Sequence, residues 1–529
     1  MSEDLIEREK TEAEAAEMPA TSDNAKSDPK KFSLRKYIAL SIVFGLLFVL
    51  SVILFALSVW YKNNYFLEFK ELLYVLTGPI EGTGGGMVQE VVGAALPYAL
   101  IALAVYVTSA IVLKKSDKVC RIIRTVGCIL CSVSLISSLV VTAFAFRFNT
   151  YFNDMREKTT IYEDRYVDPA KVSITSNGKP KNLIYIYVES LENTHASVEN
   201  GGFMNDNYLP GLTALAKENL SFSHHTDPSK LGGFRTVTGS GWTIAALLAT
   251  SSGIPFAFSV GGNDMDNADN FAPNMTNLGD ILEQKGYKQE FLCGSEADFG
   301  GRTTLFAQHG NYEIYDLDTA RKNGDLPSPF YYNGWWGYED KYLFEIAKKE
   351  ATRLASGDEP FNLTLLTVDT HPQGGYICDL CGNEYPDVTA NVLKCTDRLV
   401  TDFVTWCKAQ DFFKDTVIVI TGDHPRHDNA MVDSVFYPER TMYNCFINAA
   451  AVPSGQTTGR VWTSLDVFPT TLAALGFNIE GDRLGLGVNM FSGIQTLAEE
   501  MTFDGLNAEM NKFSEFYLMN FQYASEKDE

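Results

Sequence analysis

The sequence predicts an α/β protein in which a mostly parallel sheet, covered by helices on both faces, follows a region of three transmembrane helices. Two observations lead to this prediction. From about residue 181 onward, apolar runs of strand length alternate with amphipathic helical segments, as in parallel sheets with helical crossovers. Ahead of this region lie three long apolar stretches, each near the ~20 residues that an α-helix needs to cross a bilayer.

The overall composition limits the classes of function that the chain can have. The protein has 529 residues and a formal net charge of −23. This length is enough for a large core. The negative charge repels polyphosphates, so the sequence predicts no nucleic acid partner. Residues 1–35, rich in Glu, Ala, Ser and Lys, are predicted to be a disordered cytoplasmic tail.

The transmembrane region is predicted over residues 36–147, with spans at Tyr37–Trp60, Val91–Leu113 and Thr125–Phe146. Basic residues cluster before the first span and between the second and third: Lys30, Lys31, Arg35, Lys36, Lys114, Lys115, Lys118, Arg121 and Arg124. Because positive segments stay in the cytoplasm, the N-terminus is predicted inside and everything after Arg147 outside. We therefore expect a multi-pass plasma membrane protein with an extracellular or periplasmic domain.

The outer domain is predicted at residues 181–529, after a connector at residues 148–180 in which Tyr151–Pro180 is extended. The expected strands are Leu183–Val188, Gln289–Cys293, Phe361–Val368 and Thr416–Ile420. The expected helices are Asn274–Lys285, Tyr342–Ala355, a segment within Asp387–Gln410 and one that begins within Thr470–Leu475.

Polar residues stand where the apolar runs of the outer domain end. Glu189 follows one predicted strand and Asp423-His424 follow another. Ligands bind at the carboxyl ends of the strands in open α/β sheets, so these side chains are expected to converge there. Two carboxylates and an imidazole can hold one divalent ion. Glu189 alone would fit an ordinary surface residue equally well, and the ligand role depends on its partners.

Thr243 is the candidate nucleophile and a further metal ligand. It follows a Gly-Ser-Gly-Trp turn and precedes an apolar helical segment. A hydroxyl at a helix N-terminus lies in positive potential, where a phosphate group is favoured and an alkoxide forms more easily. An N-cap role is the alternative for Thr243, and Ser240 competes for that cap.

The candidates for substrate binding are His371, Arg302, Trp336, Asp340 and His427. His371 follows a strand end, where it could hold a phosphate or protonate a leaving oxygen as a catalytic residue. Arg302 could clamp a phosphate oxygen, with a plain surface Arg as the alternative. Trp336 and Asp340 could shape a head-group pocket, although Trp also serves as a membrane-interface anchor. The His224-His225 pair has no assigned role.

Six cysteines lie in the outer domain: Cys293, Cys378, Cys381, Cys395, Cys407 and Cys445. An even number in an oxidising compartment is typical of disulfides. The spacing of Cys378 and Cys381 resembles a zinc knuckle, but no second Cys-x-x-Cys pair follows at the right distance. We therefore expect a disulfide from this loop to Cys395 rather than a zinc site.

Taken together, six strings resemble a known enzyme group: NLIYIYVESLENT (182–194), GSGWTIAALLATSSGIP (239–255), NLGDILEQKGY (277–287), LTVDTHPQGGY (366–376), FFKDTVIVITGDH (412–424) and LDVFPTTLAALG (465–476). The chain is similar to the lipoteichoic acid synthase and membrane phosphoglycerol transferase group of the alkaline phosphatase/sulfatase superfamily. It most resembles the phosphoglycerol transferase I type. The resemblance covers residues 180–490 and implies an alkaline phosphatase/sulfatase-like fold.

The resemblance also implies an activity and a metal. Glu189, Thr243, Asp423 and His424 would bind one divalent ion, with Mn²⁺ preferred and Mg²⁺ or Zn²⁺ as alternatives. Thr243 would attack phosphatidylglycerol, form a covalent phospho-threonine intermediate and pass glycerol phosphate to a cell-envelope glycan, glycolipid or teichoic acid. His371 and Arg302 would hold the glycerol phosphate.

Some residues depart from the family patterns. Lipoteichoic acid synthases have Trp-Asn before the Arg where this chain has Gly300-Gly301, and they have five spans. The phosphoglycerol transferase I type has His-His-Pro where this chain has only His371-Pro372. A phosphoethanolamine transferase is therefore an alternative. A second alternative is a non-catalytic envelope-binding member, against which the complete ligand set argues.

Overall fold

The structure is a computed structural model that describes residues 29–64, 85–112, 117–176, 178, 181–257, 271–329, 335–372, 374–428, 430–432, 435 and 439–522. Most of the predicted tail (1–28) and most of the loop between the first two spans (65–84) therefore lie outside the described residues. The chain divides into two compact units, Met1–Phe55 with Leu96–Leu139, and Ala56–Ala95 with Val140–Glu529.

The strands of the described residues are, in chain order, β1 (Ile174–Ser176), β2 (Asn182–Val188), β3 (Lys288–Cys293), β4 (Glu313–Tyr315), β5 (Phe361–Leu366), β6 (Thr416–Gly422), β7 (Asn444–Ile447), β8 (Phe477–Ile479), β9 (Arg483–Leu484) and β10 (Gly487–Val488). The helices are α1 (Pro29–Asn64), α2 (Gly85–Val112), α3 (Asp117–Ala145), α4 (Phe148–Asp154), α5 (Ile161–Arg165), α6 (Pro210–Glu218), α7 (Thr243–Ser252), α8 (Leu278–Gln284), α9 (Arg302–Gln308), α10 (Leu317–Asn323), α11 (Asp340–Ala355), α12 (Val388–Lys408), α13 (Val467–Ala474), α14 (Leu497–Met501), α15 (Phe503–Asn511) and α16 (Glu515–Tyr517).

Two helices are long and apolar enough to cross a membrane, by length and composition. They contain the spans Ile42–Asn63 in α1 and Val91–Thr108 in α2, of which only 17% and 6% are buried. Such exposure distinguishes them from the core helices of a soluble protein. The apolar part of α3, Ile129–Ala145, is shorter. The described residues thus contain two clear candidates where the sequence predicted three.

The predicted connector is folded rather than extended. It contains α4, α5 and β1, and β1 pairs antiparallel with β8. The ring of Tyr162 packs edge-on against Tyr517, with centroids 5.3 Å apart. The expectation of an extended segment at Tyr151–Pro180 was therefore wrong, because its apolar residues pack against the end of the chain. Residues 177, 179 and 180 lie outside the described part.

Within the described residues, the central sheet has six strands in the order β4-β3-β5-β2-β6-β7. Neighbouring strands are parallel except β7, which pairs antiparallel with β6. The prediction of a mostly parallel sheet is confirmed. β4 and β7 were not predicted, since runs of three and four residues leave too little periodicity to recognise.

Helices cover both faces of this sheet, as predicted. Alternate side chains of β2 enter two separate cores: Tyr185 and Tyr187 face one, and Ile184 and Ile186 face the other. The first core includes buried residues of α7, α8 and α13, and the second those of α6, α11 and α12. A strand buried on both sides reads as a continuous apolar run, which is why β2 was recognisable.

The boundaries of the helices follow their caps. α8 begins at Leu278 rather than at Asn274, because the Asn277 side chain accepts the backbone N–H of Asp280 at 3.0 Å. The Asp280 carboxylate in turn accepts the N–H of Asn277, which completes a capping box. α11 and α12 lie within two residues of the predicted positions.

Candidate functional site

The site lies at the carboxyl edge of the three central strands. β5, β2 and β6 are neighbours in the sheet, so the segments that follow them start side by side. Glu189 follows β2 directly, and Asp423 and His424 follow β6. All three side chains are buried, with ligand atoms within 4.8 Å of one another. The structure therefore brings together residues that are more than 230 positions apart in sequence.

Local backbone geometry brings the two turns together. Ser190 has φ of +52°, a left-handed conformation that is uncommon for a residue with a side chain. In this conformation its N–H donates to Asp423 Oδ1 at 2.8 Å and its hydroxyl to Glu189 Oε1 at 2.7 Å. A Cβ at Gly422 would lie 1.9 Å from the carbonyl oxygen of Leu191, so only glycine allows this approach.

The proton on His424 has a defined position. Its Nδ1 lies 3.0 Å from the carbonyl oxygen of Pro425, and since a carbonyl only accepts, Nδ1 carries the proton. The other ring nitrogen, Nε2, points into the site. Nε2 lies 3.4 Å from Asp423 Oδ2, 3.5 Å from Glu189 Oε1 and 3.3 Å from Thr243 Oγ1.

The charges around Glu189, Asp423 and His424 are those of a site that can bind a cation. Burial and the nearby charge of Glu189 raise the pKa of Asp423 to about 7. Burial also opposes ionisation of Glu189, but His424, His371 and the Ser190 hydroxyl outweigh it and lower its pKa. Asp423 Oδ2 is buried and has no hydrogen-bond partner among the described residues. Two buried carboxylates with an unsatisfied oxygen and an imidazole nitrogen are a ligand set for a divalent ion.

Thr243 is the first residue of α7 and lies beside this group, half-buried. The N-cap residue is Trp242, whose side chain does not cap the helix. Ser240, the competing cap, is engaged elsewhere: its hydroxyl donates to the carbonyl of Val237 at 2.8 Å and lies 2.7 Å from the hydroxyl of Ser464. The Thr243 hydroxyl is thus the one presented at the positive end of α7.

A chain of aromatic contacts leads from His371 to Arg302. The ring of His371 lies 4.3 Å from Trp336, and Trp336 lies 5.2 Å from Phe299. The guanidinium of Arg302 sits over Phe299 at 5.6 Å. Arg302 is buried and donates to the carbonyl of Glu296 at 2.6 Å, yet its Nε has no partner among the described residues. The structure therefore places His371, Trp336 and Arg302 on one side of the site. Among the described residues, the Nε–H of Arg302 has no acceptor there.

Asp340 has a different position from the one predicted. It is fully buried, and its two carboxylate oxygens accept the backbone N–H groups of Val368 and Asp369 at 2.8 and 3.1 Å. Its own N–H donates to the Asp369 carboxylate at 3.1 Å. These bonds join the start of α11 to the end of β5. Asp340 therefore supports the segment before His371 instead of lining a head-group pocket.

His427 lies against the metal-ligand candidates. Its ring stacks on that of His424 with centroids 4.6 Å apart, and its Nε2–H donates to the carbonyl of Gly241 at 2.5 Å. Burial and the proximity of His424 hold its pKa well below the usual value, so it is neutral. His427 thus joins the turn after β6 to the turn before α7, and it positions the site rather than offering a free donor.

A buried ionic network behind the site was not predicted. Glu192 accepts from Arg440 through both carboxylate oxygens and from the backbone N–H of Arg426 at 2.7 Å. Arg426 forms a two-bond ion pair with Asp428 and donates to the carbonyl of Thr370 at 2.7 Å. Glu192 lies within one of the recognised strings and Arg426 two residues after another, so both could have been noticed. Arg440 lies 248 positions from Glu192 and has no local signal.

The cysteines of the predicted disulfide lie together but are not bonded. Cys378 Sγ is 3.6 Å from Cys381 Sγ and 3.8 Å from Cys395 Sγ, whereas a disulfide requires about 2.05 Å. Cys293, Cys407 and Cys445 are buried without disulfides. The His224-His225 pair, with rings 4.0 Å apart, lies on a loop, where His225 contacts the carbonyl of Gly201.

Fold and site define a sulfatase-like α/β protein, and comparison with known proteins agrees. The family model described as Sulfatase matches residues 181–477, more than half of the chain. The chain belongs to this family. It is also similar to phosphoglycerol transferase I of Salmonella choleraesuis (strain SC-B67), at 31% identity over 466 residues that cover 86% of this chain and 57% of that protein. The predicted resemblance is confirmed.

The chain therefore spans little more than half the length of the curated relatives that it matches. Solved structures include the lipoteichoic acid synthase LtaP from Listeria monocytogenes, with a TM-score of 0.47, 17% identity, and coverage of 61% of this chain and 79% of that one. Another is the integral membrane protein lipooligosaccharide phosphoethanolamine transferase A (EptA) from Neisseria meningitidis, with a TM-score of 0.46, 16% identity, and coverage of 82% and 84%. These structural likenesses are distant, and family membership rests on the sequence.

Proposed function

We propose that this protein is a membrane-anchored, metal-dependent phosphoglycerol transferase. It would move glycerol phosphate from phosphatidylglycerol to a cell-envelope glycan, glycolipid or teichoic acid acceptor. The observation that supports this most directly is the Thr243 hydroxyl, at the start of α7 and 3.3 Å from His424 Nε2. Relatives named phosphoglycerol transferase I support the choice of reaction.

We assign one divalent ion to Glu189, Asp423, His424 and the Thr243 oxygen, with Mn²⁺ as first choice and Mg²⁺ or Zn²⁺ as alternatives. The unpartnered Asp423 oxygen fits such an ion, and so does His424 Nε2, which lies 3.4 Å from Asp423 and 3.5 Å from Glu189. When bound, it would lower the pKa of the Thr243 hydroxyl and offset charge on the phosphoryl oxygens.

The reaction proceeds in two displacements. Thr243 Oγ1 attacks the phosphorus of phosphatidylglycerol, an O–P bond forms, and the P–O bond to diacylglycerol breaks. The proton lost by Thr243 ends on the diacylglycerol oxygen. An acceptor hydroxyl then attacks the same phosphorus and loses its proton, while Thr243 leaves and regains one. The positive end of α7 favours the Thr243 alkoxide in both displacements.

His371 is suited to the proton transfers. Its Nδ1 lies 3.2 Å from the carbonyl oxygen of Pro372, so Nδ1 carries the proton and Nε2 has the lone pair. Burial lowers the pKa of His371, which keeps it neutral at pH 7. A neutral imidazole can take the proton of the acceptor hydroxyl. Arg302, with its unused Nε–H, would hold the glycerol phosphate of the donor.

The membrane anchor would place the site over the outer leaflet, where the lipid donor lies. We propose three spans, with α3 as the third, an N-terminus in the cytoplasm and the catalytic domain outside the plasma membrane. The basic residues between the second and third predicted spans support this orientation.

The test is release of diacylglycerol from phosphatidylglycerol with a fluorescent acyl chain, by full-length protein in Mn²⁺. We expect release by the wild type, none without metal, and a loss of at least about a thousandfold in Thr243→Ala. Thr243→Ser retains the hydroxyl and should retain turnover. Phosphatidylethanolamine runs in parallel, because release from that lipid alone would instead indicate a phosphoethanolamine transferase. Wild-type turnover by Thr243→Ala would rule out the proposed nucleophile.

A further inference from the structure

A second group of potential metal ligands lies outside the site described above. Cys378 and Cys381 occupy a turn in the segment between β5 and α12, and Cys395 lies in α12. The three sulfurs lie within 4.8 Å of one another. Cys378 and Cys395 are buried, and Cys381 is half-exposed.

The spacing of the sulfurs matches a tetrahedral metal centre. With a Zn–S bond of about 2.3 Å, the edge of a regular tetrahedron of sulfurs is about 3.8 Å. Cys378 Sγ lies 3.6 Å and 3.8 Å from the other two sulfurs. Cys378 is about equally close to both, so the geometry does not select one pair for a disulfide.

A positively charged side chain lies beside the sulfurs. The backbone N–H of Cys381 donates to the carbonyl oxygen of Cys378 at 3.1 Å, which closes the turn between these two cysteines. Arg398 reaches the sulfur of Cys395 at 3.7 Å and donates to the carbonyl of Leu380 at 2.6 Å. A positive charge beside sulfur stabilises a thiolate, which is the form that binds metal. A disulfide carries no charge for Arg398 to offset.

We propose that Cys378, Cys381 and Cys395 bind one Zn²⁺ ion as three thiolates, at a site separate from the catalytic one. Three thiolates and one Zn²⁺ leave a single net negative charge, which Arg398 offsets. Thiolate ligands select zinc over Mg²⁺ and Mn²⁺. Half-exposed Cys381 gives the ion an entry path, and water completes the coordination. This assignment replaces the disulfide expected from the sequence.

The zinc ion would stabilise the structure next to the catalytic site. Asp379, inside the Cys-x-x-Cys turn, forms an ion pair with Lys341 in the first turn of α11. Tyr376, two residues before Cys378, packs against Trp335 with ring centroids 5.6 Å apart. The ion would thus tie the segment after His371 to α12.

The test measures metal content and absorption of the full-length protein purified without chelators. We expect one zinc ion per chain that is lost in Cys381→Ser and in Cys378→Ser, and kept in the control Cys407→Ala. It should also persist in Glu189→Gln/Asp423→Asn, which removes the two carboxylates among the four proposed catalytic ligands. Cobalt substitution should give strong sulfur-to-cobalt charge-transfer absorption in that double variant and none in Cys381→Ser.

The competing possibility is a disulfide between two of the three cysteines. Alkylation of the unfolded, unreduced protein distinguishes this disulfide from the zinc centre. Alkylation of all three cysteines after chelation supports the zinc centre. Protection of two of them, with a mass lower by two hydrogens, would overturn it, as would zinc content unchanged in Cys381→Ser. If Cys378→Ser fails to fold, Cys381→Ser alone decides, because Cys381 is the least buried of the three.

Discussion

At the residue scale, two His-Pro pairs set the proton positions in the site. His371 and His424 each direct Nδ1 at the carbonyl of the proline that follows, at 3.2 and 3.0 Å. A carbonyl can only accept, so Nδ1 carries a proton in both imidazoles and Nε2 is the nitrogen that faces away from the proline. One faces Glu189 and Asp423 as a potential ligand, and the other is available as a base. The same local hydrogen bond, from a histidine Nδ1–H to the carbonyl of the next proline, thus orients two imidazoles that have different roles in the proposed reaction.

Arg302 provides a prediction at the same scale. Arg302→Lys keeps the positive charge but removes the planar fork and its unpaired Nε–H. If this donor holds the phosphate of the lipid, we expect KM for phosphatidylglycerol to rise about tenfold, with little change in unfolding temperature. The measurement is diacylglycerol release against lipid concentration. Arg321→Lys, at an exposed ion pair on α10, is the control and should leave KM unchanged.

At the element scale, the turn after β6 is held by the buried network around Glu192. Arg440 and Glu192 are both fully buried and form a two-bond ion pair. Arg440 also donates to the carbonyl of Arg426 at 2.7 Å, within the turn that carries Asp423 and His424. The network therefore supports both the fold and the position of the proposed ligands.

Arg440→Ala should lower the free energy of unfolding by about 3–5 kcal/mol, because it leaves the Glu192 carboxylate buried with less compensation. Lys348→Ala removes a surface ion pair with Glu345, whose side chain is 69% exposed, and should cost less than about 1 kcal/mol. Chemical unfolding of the two variants measures the difference. Equal losses of unfolding free energy in the two variants would show that the buried ion pair contributes no more to stability than the exposed one.

The environment of Glu290, on β3, leads us to predict that the stability of the fold depends on pH. Burial and repulsion from Glu350 raise its pKa to about 8, despite its ion pair with Arg353. The unfolded value is about 4.3, so between these pH values the folded protein binds a proton that the unfolded chain releases. This contribution to stability is complete below about pH 4 and is lost as pH rises through about 8.

Glu290→Gln should therefore reduce the fall in unfolding temperature between about pH 5 and about pH 9, since the amide does not titrate. Glu313→Gln is the matched control, because Glu313 also contacts Arg353 but its side chain is 66% exposed. Thermal unfolding at both pH values measures the effect. An unchanged slope in Glu290→Gln would mean that Glu290 is ionised in the folded protein throughout.

At the scale of the whole molecule, the number of spans decides where the catalytic domain lies. Two spans would leave it on the same side as the N-terminus, whereas three would place it on the opposite side. α1 and α2 contain clear candidates, and the apolar part of α3 is shorter. Basic residues between the second and third predicted spans favour a cytoplasmic loop there, and hence an odd number.

Reporter fusions test this topology. With three spans, alkaline phosphatase fused after the last residue should be active, because it folds outside the cytoplasm, and green fluorescent protein at the same position should be dark. Fusions at residue 115, in the predicted cytoplasmic loop, should behave in the opposite way. A fluorescent C-terminal fusion would contradict three spans and remove the proposed access to the outer leaflet.

The sequence was sufficient for the parts of the fold with strong local signals. β2 and β6 were recognised from continuous apolar runs, and Glu189, Asp423 and His424 from their position directly after those runs. The structure does bring these side chains together. It gives Asp340 and His427 contacts within the protein, however, which no local pattern shows. The short edge strand β7 was missed for lack of periodicity.

By itself, the sequence determined the α/β class, the apolar helices before it, the residues at the strand ends and the sulfatase family. These follow from periodicity, composition and short motifs, which act over a few neighbouring residues. Only the tertiary structure decided which polar groups share one buried space. It placed Arg440 on Glu192, and Asp340 on the segment that follows β5. Such pairings depend on how the parallel strands align and how their crossovers pack, and a one-dimensional pattern does not encode that alignment locally.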